Sequence, residues 1–268
     1  MACLIKKHDL TLFEEPVIMK ILSTPALFSE SIDGITMMMS RLFRSIHFQT
    51  FTEENLDFKE RGSSKILLVL PDAKSASEIK LSEALQQKIH EFCHQGVIKI
   101  LGICAGAFYL AKNIEYQKEK VHHPRTFTLF DGTALGPIEP HEASGWKLSA
   151  QKIHLCTTKE EGFSTMLGGV FFVPSDAQSD SKPLAYIEKE GQQQAVAVAT
   201  HKDIHGQWGA VLLGTHLEFE STSKGFYDLK QFFPFKRKEI EEIQENLKES
   251  KEFRLCAMHS FLAELGFK

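Results

Sequence analysis

Residues 97–111 carry the feature that most restricts how this chain can fold. An apolar run, Val97-Ile-Lys-Ile-Leu101, passes without a break into Gly102-Ile103-Cys104-Ala105-Gly106, and an apolar helical segment, Ala107 to Ala111, follows at once. A strand that turns sharply into a helix needs glycines beside the turn, because a side chain there would collide with neighbouring backbone. Such an elbow belongs to a sheet with helices packed on it. The turn lifts Cys104 to the carboxyl edge of the sheet, where open α/β sheets bind their ligands. At a helix N-terminus the dipole and free N–H groups favour thiolate over thiol, and the Ala105 N–H can face a developing oxyanion. Taken alone, the pentapeptide is equally consistent with a small buried cysteine in a glycine-rich turn.

The flanking sequence supplies the sheet. Val17 to Leu22 is a short apolar run bounded by Pro16 and by Ser23-Thr24-Pro25, which predicts a first buried strand. Ser31 to Arg44 places Ile32, Ile35, Met38, Met39 and Leu42 at helical spacing, and Ile46 to Thr50 alternates like a second strand. The cluster Met37-Met38-Met39 reads as core filler on that helix. Lys65 to Leu70 is nearly all apolar, as in a strand covered on both faces. Ser82 can cap a helix with Leu85, Ile89 and Phe92 on one stripe and Gly96 as its left-handed stop, and Val97 to Leu101 becomes the fourth strand. Strand–helix–strand units with short links imply right-handed crossovers and a parallel sheet.

Past about residue 125 the strands become shorter and more alternating, among them Leu184–Glu188, Ala195–Thr200 and Trp208–Leu213. These are expected as antiparallel additions to the same sheet. Residues 174–183 read as a loop, and the chain from Lys236 is helical, with Ile240, Ile243 and Leu247 on one face, then Phe253, Ala257, Phe261 and Leu265, stopped by Gly266. The expected organisation is a lead-in over 1–15 and a single domain over 16–268.

The 268 residues carry a formal net charge of −4, which gives no field to draw in nucleic acid or an anionic membrane. The five cysteines are scattered without a C-x-x-C pair, against a disulfide framework or structural zinc and in favour of a reducing, cytoplasmic setting. No apolar stretch has the length of a membrane span, although export by a non-classical secretion system escapes that argument. Neither a cofactor nor a metal is expected. His122-His123, His141, and His201 with His205 read as surface or loop residues, with no third ligand placed by sequence.

A second segment changes the weight given to Cys104. The apolar strand Trp208-Gly-Ala-Val-Leu-Leu-Gly214 ends in Thr215-His216-Leu217-Glu218-Phe219. Residues 216 and 218 are two apart and, if extended, project from one face, His216 toward the nucleophile and Glu218 within reach of the imidazole. Thiol, imidazole and carboxylate are the parts of a nucleophilic triad.

Four segments carry a resemblance: Leu101-Gly-Ile-Cys-Ala-Gly-Ala107, Phe130-Asp-Gly-Thr-Ala-Leu-Gly-Pro137, Gly168-Gly-Val-Phe171 and Gly214-Thr-His-Leu-Glu-Phe219. Together with the ending Arg254 to Gly266, they make the chain similar to the glutamine amidotransferase-like domain at the N-terminus of eukaryotic biotin–protein ligases, which also occurs as a free-standing bacterial protein. The resemblance spans roughly residues 17–267. It implies a flavodoxin-like three-layer α/β sandwich, mostly parallel with antiparallel additions, of the class I glutamine amidotransferase type. It also implies Cys104, His216 and Glu218 as catalytic residues. The oxyanion site and pocket fall on Asp72, Ala73, Gly102, Ala105, Gly106, Gly168 and Gly169, with Phe130–Pro137 and His141–Trp146 as further walls.

Two positions depart from the pattern. Amidotransferases of this type offer a glycine pair after the third strand to complete the oxyanion hole, whereas this loop reads Pro71-Asp72-Ala73-Lys74-Ser75. Loss of such a donor costs about 10²–10³ in rate, which weighs against free glutamine as substrate. Leu217 stands where the motif usually has proline. No counterpart of the ligase's glycine-arginine-glycine nucleotide loop exists among the six arginines, so biotin ligation itself is not implied. Two readings follow: thiol-dependent hydrolysis of a carboxamide or small amide, or a non-catalytic amidotransferase-fold protein that binds a metabolite or a protein partner. A third, a scaffold joined through the charged C-terminal helices, has only the 236–251 stretch in its favour.

Overall fold

The computed structural model describes residues 10–24, 27, 29–52, 56, 58, 64–73, 76, 79–116, 119–121, 128–138, 148–176, 179–223, 226, 230 and 236–268. The chain runs β1 (Val17–Leu22), α1 (Ser29–Leu42), β2 (Ile46–Phe51), β3 (Lys65–Leu70), α2 (Glu83–His94) and β4 (Ile98–Ile103). It continues through α3 (Ala105–Leu110), β5 (Ala111–Tyr116), β6 (Glu119–Val121), β7 (Phe130–Gly136), β8 (Leu148–Leu155), β9 (Glu161–Leu167) and β10 (Phe171–Pro174). The remaining elements are β11 (Ser181–Lys189), β12 (Gln192–Lys202), β13 (Trp208–Leu213), α4 (Arg237–Glu249) and α5 (Lys251–Glu264).

Nine strands form the main sheet in the order β2-β1-β3-β4-β13-β12-β11-β8-β9. The first five run parallel and the last four are antiparallel additions, which is the expected architecture. The parallel strands alternate their side chains between two cores. Met19, Leu67, Val69, Leu101, Val211 and Leu213 face one side, where α1 and α5 lay down Ile35, Met39, Phe261 and Leu262. Ile66, Leu68, Ile98, Ile100, Ala210 and Leu212 face the other, against Leu85 and Ile89 of α2 and Leu110 of α3. Burial on both faces is why these strands read as unbroken apolar runs. A smaller cluster beneath α4 joins Ile240, Ile243 and Leu247 to Leu148 and Phe219.

Three expectations are corrected. The strands after the elbow do not all join the main sheet: β10, β7, β5 and β6 make a separate four-stranded sheet packed on the α3 side, with Phe130, Ala134 and Phe172 in that core. The helix after Cys104 stops at Leu110, and Ala111 already begins β5. Trp208–Leu213 pairs parallel with β4 and antiparallel only with β12. Periodicity reports a strand's faces but not its neighbour, so none of these pairings is readable locally. Elsewhere the local chemistry holds at Ser82, whose Oγ accepts from the Leu85 N–H, and at Gly96 with φ +75°; of the three methionines expected as core filler, Met38 and Met39 are buried but Met37 is exposed.

Candidate active site

The site is a product of strand register. β3, β4 and β13 lie side by side and parallel, with Leu70 opposite Gly102 and Ile103 opposite Leu213. All three therefore leave the sheet at one edge, where the chain delivers Asp72, Cys104 and His216. The Cys104 N–H donates to the Leu213 carbonyl at 2.8 Å, tying the elbow to the strand that leads into His216. Cys104 has φ 48° and ψ −109°, a conformation that side chains rarely adopt and that stores strain at the turn. Gly106 is required there: a Cβ on it would lie 2.1 Å from the Leu70 carbonyl oxygen, so only glycine lets α3 approach the end of β3. Gly102 sits under the same helix, where a Cβ would meet the Ala107 Cα at 3.1 Å.

His216 is pinned at its backbone, with its N–H donating to the Thr165 carbonyl at 2.8 Å. Its ring stacks on Phe219, centroids 4.6 Å apart and planes 9° from parallel. Nδ1 lies 2.9 Å from Glu218 Oε1, so the carboxylate fixes the tautomer with the proton on Nδ1 and leaves Nε2 facing inward. Nε2 lies 3.6 Å from Asp72 Oδ2 and faces the Cys104 sulfur, beyond ordinary hydrogen-bond length of any oxygen or nitrogen. One ligand-type atom from each of Asp72, Cys104 and His216 lies within 4.8 Å of the others, and all three residues are buried. Leu217, standing where the motif usually has proline, is fully buried in the core beside α5.

Asp72, expected in the oxyanion loop, takes a different part. Its Oδ1 accepts the Ala105 N–H at 3.2 Å, so the donor expected to face an oxyanion is already engaged by a carboxylate. Ser31 of α1, which the sequence reading did not single out, completes the set. Its hydroxyl donates to Glu218 Oε1 at 2.9 Å, and its Oγ lies 3.4 Å from the Asp72 N–H, which donates to it. A signal existed: Ser31 occupies the stripe of Ile35, Met38 and Leu42, and a hydroxyl on a buried helix face needs a polar partner. Gly34, one turn on, passes so close to the Glu218 carbonyl that a Cβ would lie 2.8 Å from its oxygen.

Of the other residues expected in the pocket, Ala73 is bridged to Leu27. Gly168 and Gly169 form a turn with φ +81° and +66° just after Leu167, whose carbonyl oxygen is 3.9 Å from the Cys104 sulfur. The end of β7 reaches this turn, since a Cβ on Gly136 would lie 2.8 Å from the Gly169 oxygen. His141–Trp146, His122 and His123 lie outside the described residues. His201, expected as a surface or loop residue, lies near the end of β12, half-buried, its ring 5.0 Å from that of His90.

Burial decides the electrostatics. It pushes the Cys104 thiol up to about 12, and the Asp72 carboxylate adds to the effect against the opposing pull of His216. The expected thiolate is therefore a neutral thiol in this state, because burial outweighs the pull of the imidazole. Burial also raises Asp72, although the imidazole and the Ala105 N–H pull the other way. For His216, burial alone would lower the imidazole, but the Glu218 carboxylate and the Cys104 sulfur outweigh it and hold it well above its ordinary value.

With this geometry in hand, comparison with known proteins becomes specific. The family described as "Biotin-protein ligase, N terminal" matches residues 21–268. The chain belongs to that family. No curated protein sequence matches it. Among solved structures it is similar to a glutamine amidotransferase from Thermotoga maritima, at 12% identity and TM-score 0.57, over 93% of this chain and 97% of that one. A second glutamine amidotransferase aligns at 15% identity and TM-score 0.53, over 80% and 97%. One from Methylobacillus flagellatus aligns at 14% identity and TM-score 0.50, over 96% of both chains. At such identities the likeness establishes the glutamine amidotransferase-like fold for this family member.

Proposed function

We propose that this chain is a thiol-dependent carbon–nitrogen hydrolase of the amidotransferase type, acting on a carboxamide or small amide. The observation that carries the reading is the placement of Cys104, on its strained elbow, beside the inward Nε2 of an imidazole whose Nδ1 is held 2.9 Å from Glu218. Activation starts with the thiol proton passing to the Asp72 carboxylate, which lies within 4.8 Å of the sulfur. That leaves thiolate beside imidazolium. As a neutral acid, Asp72 gives up the Ala105 N–H, which then faces the carbonyl oxygen of the substrate. Sulfur attacks the carbonyl carbon, the C–N bond breaks as imidazolium protonates the leaving nitrogen, and a thioester remains. Water, deprotonated by His216, then releases the acid, and Asp72 returns its proton to the sulfur.

A second reading has one observation of its own. With Asp72 on the Ala105 N–H and the thiol protonated, the site as it stands is closed to an oxyanion, as expected of a non-catalytic amidotransferase-fold binding or regulatory protein. The separating experiment is ammonia release from glutamine, asparagine and short peptide amides, run beside Cys104→Ser. Release that disappears in Cys104→Ser supports the hydrolase. A uniform blank, or release that persists in the variant, removes it in favour of the binding protein.

A further inference from the structure

We infer that Asp72, Cys104 and His216 form a binding site for one divalent cation of the zinc class, a role that does not depend on the hydrolase reading. Three independent observations meet here. The first is ligand chemistry: thiol sulfur, imidazole nitrogen and carboxylate oxygen come from three separate elements to within 4.8 Å of one another. That mixture of one soft, one borderline and one hard donor suits Zn²⁺ or Co²⁺, and disfavours Mg²⁺ and Ca²⁺, which take oxygen. The spacing is suitable. Two ligands at about 2.0–2.1 Å from a tetrahedral zinc stand about 3.3 Å apart, and His216 Nε2 lies 3.6 Å from Asp72 Oδ2. The imidazole and the carboxylate thus already stand near zinc-ligand spacing, and the sulfur lies within 4.8 Å of both.

The second observation is the inward nitrogen of His216. His216 is fully buried, its Nδ1 is committed to Glu218, and Nε2 points at the other two ligands without a hydrogen bond. A buried polar atom without a partner is costly, and once its proton has left, a metal bond to Nε2 removes that cost. The third is the shell behind the ligands. Glu218 on the far nitrogen of a ligating histidine is the carboxylate–histidine pairing that orients metal-bound imidazoles, and Ser31 in turn holds Glu218 at 2.9 Å. Charge points the same way. Asp72, Cys104 and Glu218 are three acids buried around one imidazole, and a divalent cation balances the two that face it.

Binding displaces the thiol proton and leaves His216 neutral, so affinity rises with pH. Three protein ligands leave a fourth position for water, and sulfur bound to the ion is no longer free to attack an electrophile. The His90, His94 and His201 rings, packed together elsewhere, are the natural decoy: their centroids lie 5.0 and 5.9 Å apart.

The test is titration of the purified full chain with Co²⁺, read by absorbance. One equivalent is expected to give a near-ultraviolet sulfur-to-cobalt charge-transfer band with the visible bands of four-coordinate cobalt, and Zn²⁺ is expected to bleach both. Cys104→Ser, nearly equal in volume, is expected to lose the near-ultraviolet band and to bind at least about 100-fold more weakly, and Glu218→Gln about 10–100-fold more weakly. His201→Ala is expected to bind as wild type. A Zn²⁺-induced rise in melting temperature, present in wild type and absent in Cys104→Ser, provides a readout that does not need the cobalt spectrum. Absence of the charge-transfer band at saturating Co²⁺ overturns the proposal. So does binding unchanged in Cys104→Ser, or binding lost in His201→Ala. None of these readouts involves amide turnover, so a failed cation site and a failed hydrolase are told apart.

Discussion

Replacing Asp72 by asparagine isolates what its charge does to Cys104. Asp72→Asn keeps the side chain's shape and an oxygen for the Ala105 N–H, but removes a negative charge within 4.8 Å of the sulfur. At an effective dielectric constant of about 20, two unit charges at that separation interact by about 3.5 kcal/mol, a factor of about 300 in the thiol–thiolate equilibrium. A less basic thiolate is also a poorer nucleophile, which returns a little under half of that gain on a logarithmic scale. The net expectation is a rise of about 20-fold in the alkylation rate of Cys104 near neutral pH. Iodoacetamide labelling followed by peptide mass mapping separates Cys104 from Cys93, Cys156 and Cys256, whose thiols are also pushed up by burial. An unchanged or slower rate at Cys104 refutes the reasoning, because it means that no carboxylate charge is holding the proton on that sulfur.

Three further outcomes follow from the same contacts. Ser31→Ala removes the donor to Glu218 and the acceptor for the Asp72 N–H, and is expected to cost about 1–2 kcal/mol in urea unfolding; no loss means the buried carboxylate does not need that hydroxyl. Gly106→Ala drives a methyl into the Leu70 carbonyl and is expected to destabilise by about 3 kcal/mol, read as a lowered urea midpoint at unchanged slope. Burial would raise Asp203, but Lys99 at 2.8 Å and the N–H groups of Gln207 and His205 hold it below the usual carboxylate range. Its contribution is therefore present above about pH 4, the unfolded value, and lost as pH falls through the folded one. Asp203→Asn is expected to flatten the acid limb of stability against pH.

What could be read from the sequence was local. The apolar run at 65–70, the Ser82 cap with Gly96 and the two C-terminal helices each carry their own signal within a dozen residues, and each stands where expected. So does the elbow, because glycine at 106 is a steric demand of that turn. The partition of the later strands into two sheets was not legible, since β5 and β7 differ from β8 and β9 in their partners rather than in their patterns. Asp72 shows the other limit. The sequence shows that the loop after β3 lacks its usual glycines, but only the fold places the carboxylate on the Ala105 N–H, because that contact depends on the register of β3 against β4. Ser31 was missed for the same reason: its partner is 187 residues away.

The reading rests on Cys104 and His216 working as one unit. The most direct measurement is the covalent capture of a glutamine-like diazoketone or chloroketone, followed by intact mass and peptide mapping in wild type and in His216→Ala. The expected result is a single adduct on Cys104, formed about 100-fold more slowly once the imidazole is gone. Adducts on Cys156 or Cys256 instead, or equal rates in the two proteins, would contradict it.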